Sequence, residues 1–462
     1  MIIDTKDTMQ TIEGWGTSLC WWANVLGSKY KQNKVYKQVM DAIFEKNGLS
    51  LNIVRYNIGG TDPNCKEPWF KLGRAIECYI NPEGSYNWES DKGQRDVLLF
   101  ARDNYDINQI EAFSNSPPYF MTTSGSTTGS ETGTTDNLKS EYYQPFVNYL
   151  ISVSKHFIEK YNLAFTTIAP FNEPISLWWK KGNNQEGCHF DVNTQSIIIG
   201  QLYESLQNEL TLKKNNITIS SSDENSIDQS VETIKHLSPS ALSKITRINT
   251  HSYNGSMRCE LKQIAEQNKK QLWMSEYGCG DYPFNDVRSG IQLSNQITKD
   301  LNEMKCSAWI YWQVVEAAED GNNWGMIKLP FVPASDDQVI SISIGKQYYA
   351  MAQYSRFIKK GYQIINVDKI KITQGTSLIA AVSEQDSTLV LVYTNSVDKS
   401  FTIDFDLSSF IDDKKQKLLF KMFRTSQEEN CKFITEFTID TWTISPMLIN
   451  NQSITTFIIK KQ

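Results

Sequence analysis

The chain has 462 residues, 40% hydrophobic and 21% charged, so it can bury a large core and exceeds the size of one small domain. A net charge of −6 and a pI near 5.5 leave no basic stripe, which argues against nucleic acid and anionic membranes as partners. No apolar run reaches about 18 residues, so no membrane span is expected. The eight cysteines form no CxxC pair and the four histidines no HExxH, so no metal site or disulfide framework is expected.

Residues 1–10 lack the basic start and apolar stretch of a signal peptide, so a cytoplasmic protein or a mature secreted form is expected. From residue 11 to 345, strand-like segments alternate with helical stretches. The strand candidates are 11–18 (TIEGWGTS), 51–60 (LNIVRYNIGG), 110–118 (IEAFSNSPP) and 166–174 (TTIAPFNEP). Four more follow at 217–225 (ITISSSDEN), 248–253 (INTHSY), 272–278 (LWMSEYG) and 308–313 (AWIYWQ). Helical patterns such as 141–161 and 195–215 separate them. Eight strand-then-helix units predict a (β/α)8 TIM barrel, whose strand ends face the active site.

The Ser/Thr/Gly-rich run 125–137 reads as a solvated loop on that face. After a last helical segment, 346–359, the pattern changes to short alternating strands at 388–395, 400–407, 418–423 and 453–459. These predict an appended antiparallel β-sandwich, spanning 346–462 together with 1–10. Its single tryptophan, Trp442, gives no aromatic cluster for glycan, so a buttressing role is the stronger expectation.

Two carboxylates end strands. Phe171-Asn172-Glu173-Pro174 closes the fourth and Trp273-Met274-Ser275-Glu276-Tyr277-Gly278 closes the seventh. Taken singly, Glu173 reads first as a surface carboxylate at a loop start, and Glu276 reads equally as functional or as half of a structural ion pair with Arg55. Taken together they face each other across a barrel mouth. Glycosidic hydrolysis with retention needs two carboxyl groups about 5 Å apart, one to protonate the leaving oxygen and one to attack the anomeric carbon. Asn172 can donate its amide to a sugar hydroxyl, while Arg55 and Tyr253 can hold Glu276 ionised. No P-loop, GxGxxG or Ser–His pairing competes for this face, so no cofactor is expected and a neutral oligo- or polysaccharide is the expected partner.

Aromatic residues are 12% of the chain and supply faces for sugar rings. Trp312, ending the eighth strand, is expected to be a sugar platform. Trp178 and Trp179, soon after Glu173, read equally as a neighbouring subsite or as core. Trp21 and Trp22 are expected to be core. His251 on the sixth strand reads as either a wall residue or a site residue, and Glu224 as a loop residue with a sugar contact as the lesser alternative.

The motif order resembles glycoside hydrolase family 30 of the clan A barrels over essentially the whole chain. The matching pieces are Glu13-Gly14-Trp15-Gly16, Arg55-Tyr56-Asn57-Ile58-Gly59-Gly60, Ser114-Asn115-Ser116-Pro117-Pro118, Phe171-Asn172-Glu173-Pro174 and Ser275-Glu276-Tyr277-Gly278. The resemblance implies a double displacement with Glu173 as acid/base and Glu276 as nucleophile. It also implies a central sugar subsite lined by Arg55, Asn172, Tyr253 and Trp312, with Trp15, His251 and Trp178 as further substrate-binding candidates. Within the family, the runs 16–23 (GTSLCWWA) and 116–125 (SPPYFMTTSG) are similar to the endo-β-1,6-galactanase branch. The substrate this implies is β-1,6-galactan, as in arabinogalactan side chains. Other family specificities (β-1,6-glucanase, glucosylceramidase-like, xylanase, exo-acting), a transglycosylase and a catalytically silent glycan-binding protein are the alternatives.

Overall fold

A computed structural model describes residues 1–65, 67–332, 340–368, 370–411, 413, 416–441 and 443–462; Trp442 lies outside the described residues. The first strand, β1 (Thr8–Thr11), precedes a closed barrel of eight parallel strands. These are β2 (Gly14–Ser18), β3 (Ile53–Asn57), β4 (Gln109–Phe113), β5 (Thr167–Ala169), β6 (Thr218–Ser226), β7 (Arg247–Asn254), β8 (Gln271–Tyr277) and β9 (Ala308–Tyr311). Closure comes from β9 pairing with β2, with Trp309 opposite Trp15. The barrel strands are buried along most of their length, on the face toward the barrel interior as well as the face toward the helices.

Ile53, Trp273, Ala308 and Ile310 form one cluster of the barrel interior. A Cβ on Gly16 would come within 2.9 Å of Ile53 Cβ, so only glycine fits at that point of the wall. Above this cluster the interior is polar. Helices start where a side chain satisfies their free N–H groups: Asp191 accepts from Thr194 N ahead of Val192–Asn208, and Ser226 from Gln229 N ahead of Ile227–His236. The helical stretch 195–215 is divided in two, because Glu209 takes an extended conformation and caps a second helix, Leu210–Lys214.

Beyond the barrel come β10 (Val315–Ala317), β11 (Ile327–Leu329) and β12 (Ser343–Ile344), a small sheet of their own. The remaining strands are β13 (Gln363–Ile365), β14 (Thr376–Ser383), β15 (Thr388–Asn395), β16 (Phe401–Asp406), β17 (Leu418–Thr425), β18 (Lys432–Ile439), β19 (Thr443–Ile449) and β20 (Ser453–Lys461). They form a seven-stranded sheet, β1-β13-β14-β15-β20-β17-β18, and a β16-β19 pair. The pair packs on the larger sheet through Phe405 against Phe457, ring centroids 5.2 Å apart, which makes an antiparallel sandwich. The N-terminal strand β1 joins this sheet through β13. The sandwich is fastened to the barrel helices Val287–Lys299 and Lys346–Ser355 by Ser294 with Thr394 (2.5 Å) and by Gln353 Nε2 donating to Thr425 (2.8 Å). Among the described residues no helix is long and apolar enough to cross a membrane.

Candidate active site

The polar layer starts with a buried column of alternating charge. Glu111 on β4 accepts from Arg55 Nε at 2.9 Å, from Asn249 Nδ2 at 2.9 Å, and from Arg247. Arg247 lies over the Trp273 ring at 3.4 Å. Above them Arg55 donates to Asp223, reaches Ser275 O at 3.2 Å, and stands 3.5 Å from Glu276 Oε2. Two cations so deep are tolerable only because each meets carboxylates. Burial alone opposes ionisation of Asp223, but Arg55 and His251 beside it hold its pKa down to about 2.

His251 closes the column. Its Nδ1 lies 3.0 Å from Glu173 Oε1 and 3.5 Å from Glu276 Oε1, and its Nε2 lies 3.3 Å from Asp223 Oδ1. Burial pulls its pKa down, but Glu276, Asp223 and Glu173 more than offset this and hold it up to about 10. The ring is therefore an imidazolium at neutral pH. Together with one oxygen each of Glu173 and Glu276, a His251 nitrogen falls in a trio of atoms all within 4.8 Å of one another.

The two carboxylates are held differently, Glu276 on β8 and Glu173 in the loop four residues beyond β5, which ends at Ala169 instead of running to residue 174. Glu276 accepts the Tyr253 phenol on Oε1 at 3.0 Å and faces Arg55 with Oε2. Burial raises its pKa and the Glu173 charge adds to that, while His251 and Arg55 oppose; the balance is about 7. Glu173 sits at φ +49°, in the left-handed region, with its N–H donating to Asp223 O at 2.7 Å. Its Oε1 accepts Asn225 Nδ2 at 2.7 Å besides facing His251, which leaves Oε2 without a hydrogen-bond partner among the described residues. Cationic and phenolic groups converge on Glu276, each favouring its ionised form.

Both carboxylates open into a cleft of about 760 Å³. Asn172, Tyr253 and Trp312 line it, as do the exposed indoles of Trp178 and Trp324. Asn172 Oδ1 is buried without a partner among the described residues. Trp312 is braced edge-to-face by the buried Trp21, centroids 5.8 Å apart, and Trp324 lies against Tyr253 at 5.9 Å.

Several expectations from sequence change here. Trp15 is not at the site: it points outward from β2, packs at a tilt against Tyr354 with ring centroids 5.9 Å apart and donates Nε1 to Ile358 O at 2.6 Å. Arg55 and His251 reach the carboxylates but lie beneath them, fully buried and outside the cleft lining, because their charges are needed to offset Glu111, Asp223 and the Glu173–Glu276 pair. Trp178 and Trp179 part company, the first 44% exposed in the cleft and the second buried. Run 125–137 is only partly a solvated loop: Gly125, Glu131, Thr132, Thr134 and Thr135 are exposed, but Ser126, Thr127, Thr128 and Ser130 are buried against the segment after Glu173. Glu224 faces away from the cleft and accepts Thr233 Oγ1 at 2.8 Å. Asp223 and Asn225 went unnoticed in the sequence, although the period-two alternation of a strand sends them to the face opposite Glu224. Glu111 sits in the middle of its strand and carried no such signal.

Residues 1–323 match the model of O-glycosyl hydrolase family 30. The chain belongs to glycoside hydrolase family 30. As a family 30 member it is an O-glycosyl hydrolase. It is 32% identical, over 88% of its length and 83% of the relative's, to an endo-β-1,6-galactanase from Hypocrea rufa. It is 24% identical to an exo-β-1,6-galactobiohydrolase from Bifidobacterium longum subsp. longum, over 91% of this chain but only 36% of that protein. Among solved structures, a conserved exported protein from Bacteroides fragilis superimposes with a TM-score of 0.81 at 20% identity, covering 99% of both chains, which fixes the shared barrel-and-sandwich fold.

Proposed function

We propose that this family 30 hydrolase cleaves β-1,6-linked galactan within its chains, with retention of anomeric configuration. Glu276 is the nucleophile and Glu173 the acid/base. The observation that carries the reading is the approach of one oxygen of each carboxylate to within 4.8 Å, the short separation that leaves no room for a water between nucleophile and anomeric carbon. In the first step Glu173 gives its proton to the glycosidic oxygen while the Glu276 carboxylate bonds the anomeric carbon and the C–O bond breaks. In the second, Glu173, now a carboxylate, takes a proton from water, whose oxygen displaces Glu276 from that carbon. His251 remains protonated throughout and lowers the energy of the negative charge as it moves between the two carboxylates.

The galactan assignment is supported by the 32% identity to the Hypocrea rufa enzyme along most of both chains. The runs 16–23 and 116–125, alike in that branch, have a physical role: Trp21 braces the Trp312 platform, and the second run leads into the buried loop beside the cleft. Two exposed indoles in one open cleft suit a chain of several sugars. The test is product sizing on de-arabinosylated arabinogalactan with wild type and Glu276→Gln, alongside pustulan and xylan. Galactose oligomers from wild type alone support the assignment. Release from pustulan or xylan instead overturns the sugar, galactobiose alone from the first minutes overturns internal cleavage, and binding without turnover overturns hydrolysis.

A further inference from the structure

The carbonyl of Glu173 accepts two hydrogen bonds, one from Ser176 N at 3.0 Å and one from the indole Nε1 of Trp179 at 2.9 Å. The second is buried, and the ring that makes it has no freedom. A Cβ on Gly187 would lie 2.0 Å from Trp179 Cε3, so the Gly187 backbone rests directly on the indole face. A Cβ on Gly129 would lie 2.0 Å from the Trp179 carbonyl, and Ser130 N donates to that same carbonyl at 3.1 Å.

The contacts on either side of the ring run back to the barrel wall. Gly187 N donates to Thr127 O at 2.8 Å, and Thr127 Oγ1 meets Thr61 Oγ1 at 2.9 Å. Next to Gly187, the buried Glu186 carboxylate accepts Asn57 Nδ2 at 2.8 Å, Gly60 N and Thr61 N both at 3.1 Å, and Thr61 Oγ1 at 2.7 Å. Asn57 is the last residue of β3. A chain of packed and hydrogen-bonded groups therefore runs from a rigid strand to the peptide of Glu173, whose left-handed backbone needs outside support to persist.

We propose that Trp179 is a positioning residue for the proton-transfer step: its clamped indole sets the backbone of Glu173 and so aims the carboxyl at the leaving oxygen. This rests on Glu173 being the acid/base. The small residues of run 125–137 and Gly187 serve this clamp, since any side chain at Gly129 or Gly187 would displace it. Trp178, one residue earlier, is left free to face the sugar.

Purely structural damage and misaimed proton transfer differ in how they depend on the leaving group. A good leaving group needs little protonation and a poor one needs it fully. The experiment measures kcat/KM, which reports the first step, for wild type, Trp179→Phe, Gly187→Ala and Glu173→Ala on aryl β-glycosides graded from methoxyphenyl to 2,4-dinitrophenyl. The glycone is whichever sugar wild type turns over, so a wrong sugar assignment changes the substrate and not the comparison. Both clamp variants are expected to lose roughly tenfold on the methoxyphenyl glycoside, with the deficit shrinking toward none on the dinitrophenyl one, a muted copy of Glu173→Ala. An equal loss across the series, or none, in both clamp variants overturns the proposal. If Glu173→Ala itself loses equally on all leaving groups, the acid/base reading falls and the proposal falls with it.

Discussion

The phenol of Tyr253 donates to Oε1 of Glu276 at 3.0 Å, and the same ring packs on Trp324 at the rim of the cleft. One side chain thus links the Glu276 carboxylate to the open cleft. A hydrogen bond to a charged acceptor contributes about 1.5–3 kcal/mol. It serves here to keep Glu276 ionised and oriented against the burial that raises its pKa. Tyr253→Phe is expected to lower kcat roughly 10- to 100-fold with a smaller change in KM, because the bond supports the reacting group rather than distant sugars. Steady-state kinetics on galactan oligomers check this, and an unchanged kcat contradicts it.

The two carboxylates are expected to respond differently to an added nucleophile. Glu276→Ala should lose on the order of 10⁴-fold or more, and azide should restore turnover by entering the vacated face to give the α-glycosyl azide. Glu173→Ala should lose about 10²- to 10⁴-fold and, with an activated glycoside, yield the β-glycosyl azide through the intact covalent intermediate. NMR of the azide product reads the anomeric configuration. The same anomer from both variants contradicts the assignment of roles.

Glu224 provides a test by pH. Burial raises its pKa from 4.5 to about 8, so the folded state prefers the protonated acid. Its favourable contribution is fully present below 4.5 and is lost as pH rises through 8. Glu224→Gln mimics the protonated form and removes this dependence. The variant is expected to gain a few degrees in Tm over wild type at pH 9 and little or nothing at pH 4. A parallel pair of Tm curves across that range would count against it.

The tryptophans at positions 15 and 178 should behave oppositely. Trp15→Ala empties a buried indole site far from the cleft and should cost about 3–5 kcal/mol in stability with KM unchanged. Trp178→Ala removes a 44% exposed ring and should leave Tm in place while raising KM on long galactan roughly two- to tenfold. Denaturant unfolding and kinetics on the same two proteins decide both.

Sequence by itself was enough to establish the eight-unit barrel, the antiparallel sandwich and the place of Glu276 at the end of its strand, whereas Glu173 lies four residues beyond the end of β5, at Ala169, rather than on the strand itself. Each leaves a local trace: a strand shows as an apolar run, a helix as a longer periodic one, and a charge closing an apolar strand is rare without a purpose. Depth in the fold leaves no such trace. Whether His251 faces sugar or lies under the carboxylates depends on Asp223 and Arg55, which arrive from other strands. Trp178 and Trp179 are identical in type and adjacent in sequence. Only the approach of Gly187 and Gly129, from other parts of the chain, buries one and leaves the other in the cleft. Run 125–137 looks polar enough for solvent, yet small polar side chains also pack against backbone once a facing segment satisfies their hydrogen bonds. The tertiary structure decided these positions because burial and charge pairing are properties of distant residues brought together, which no local pattern records.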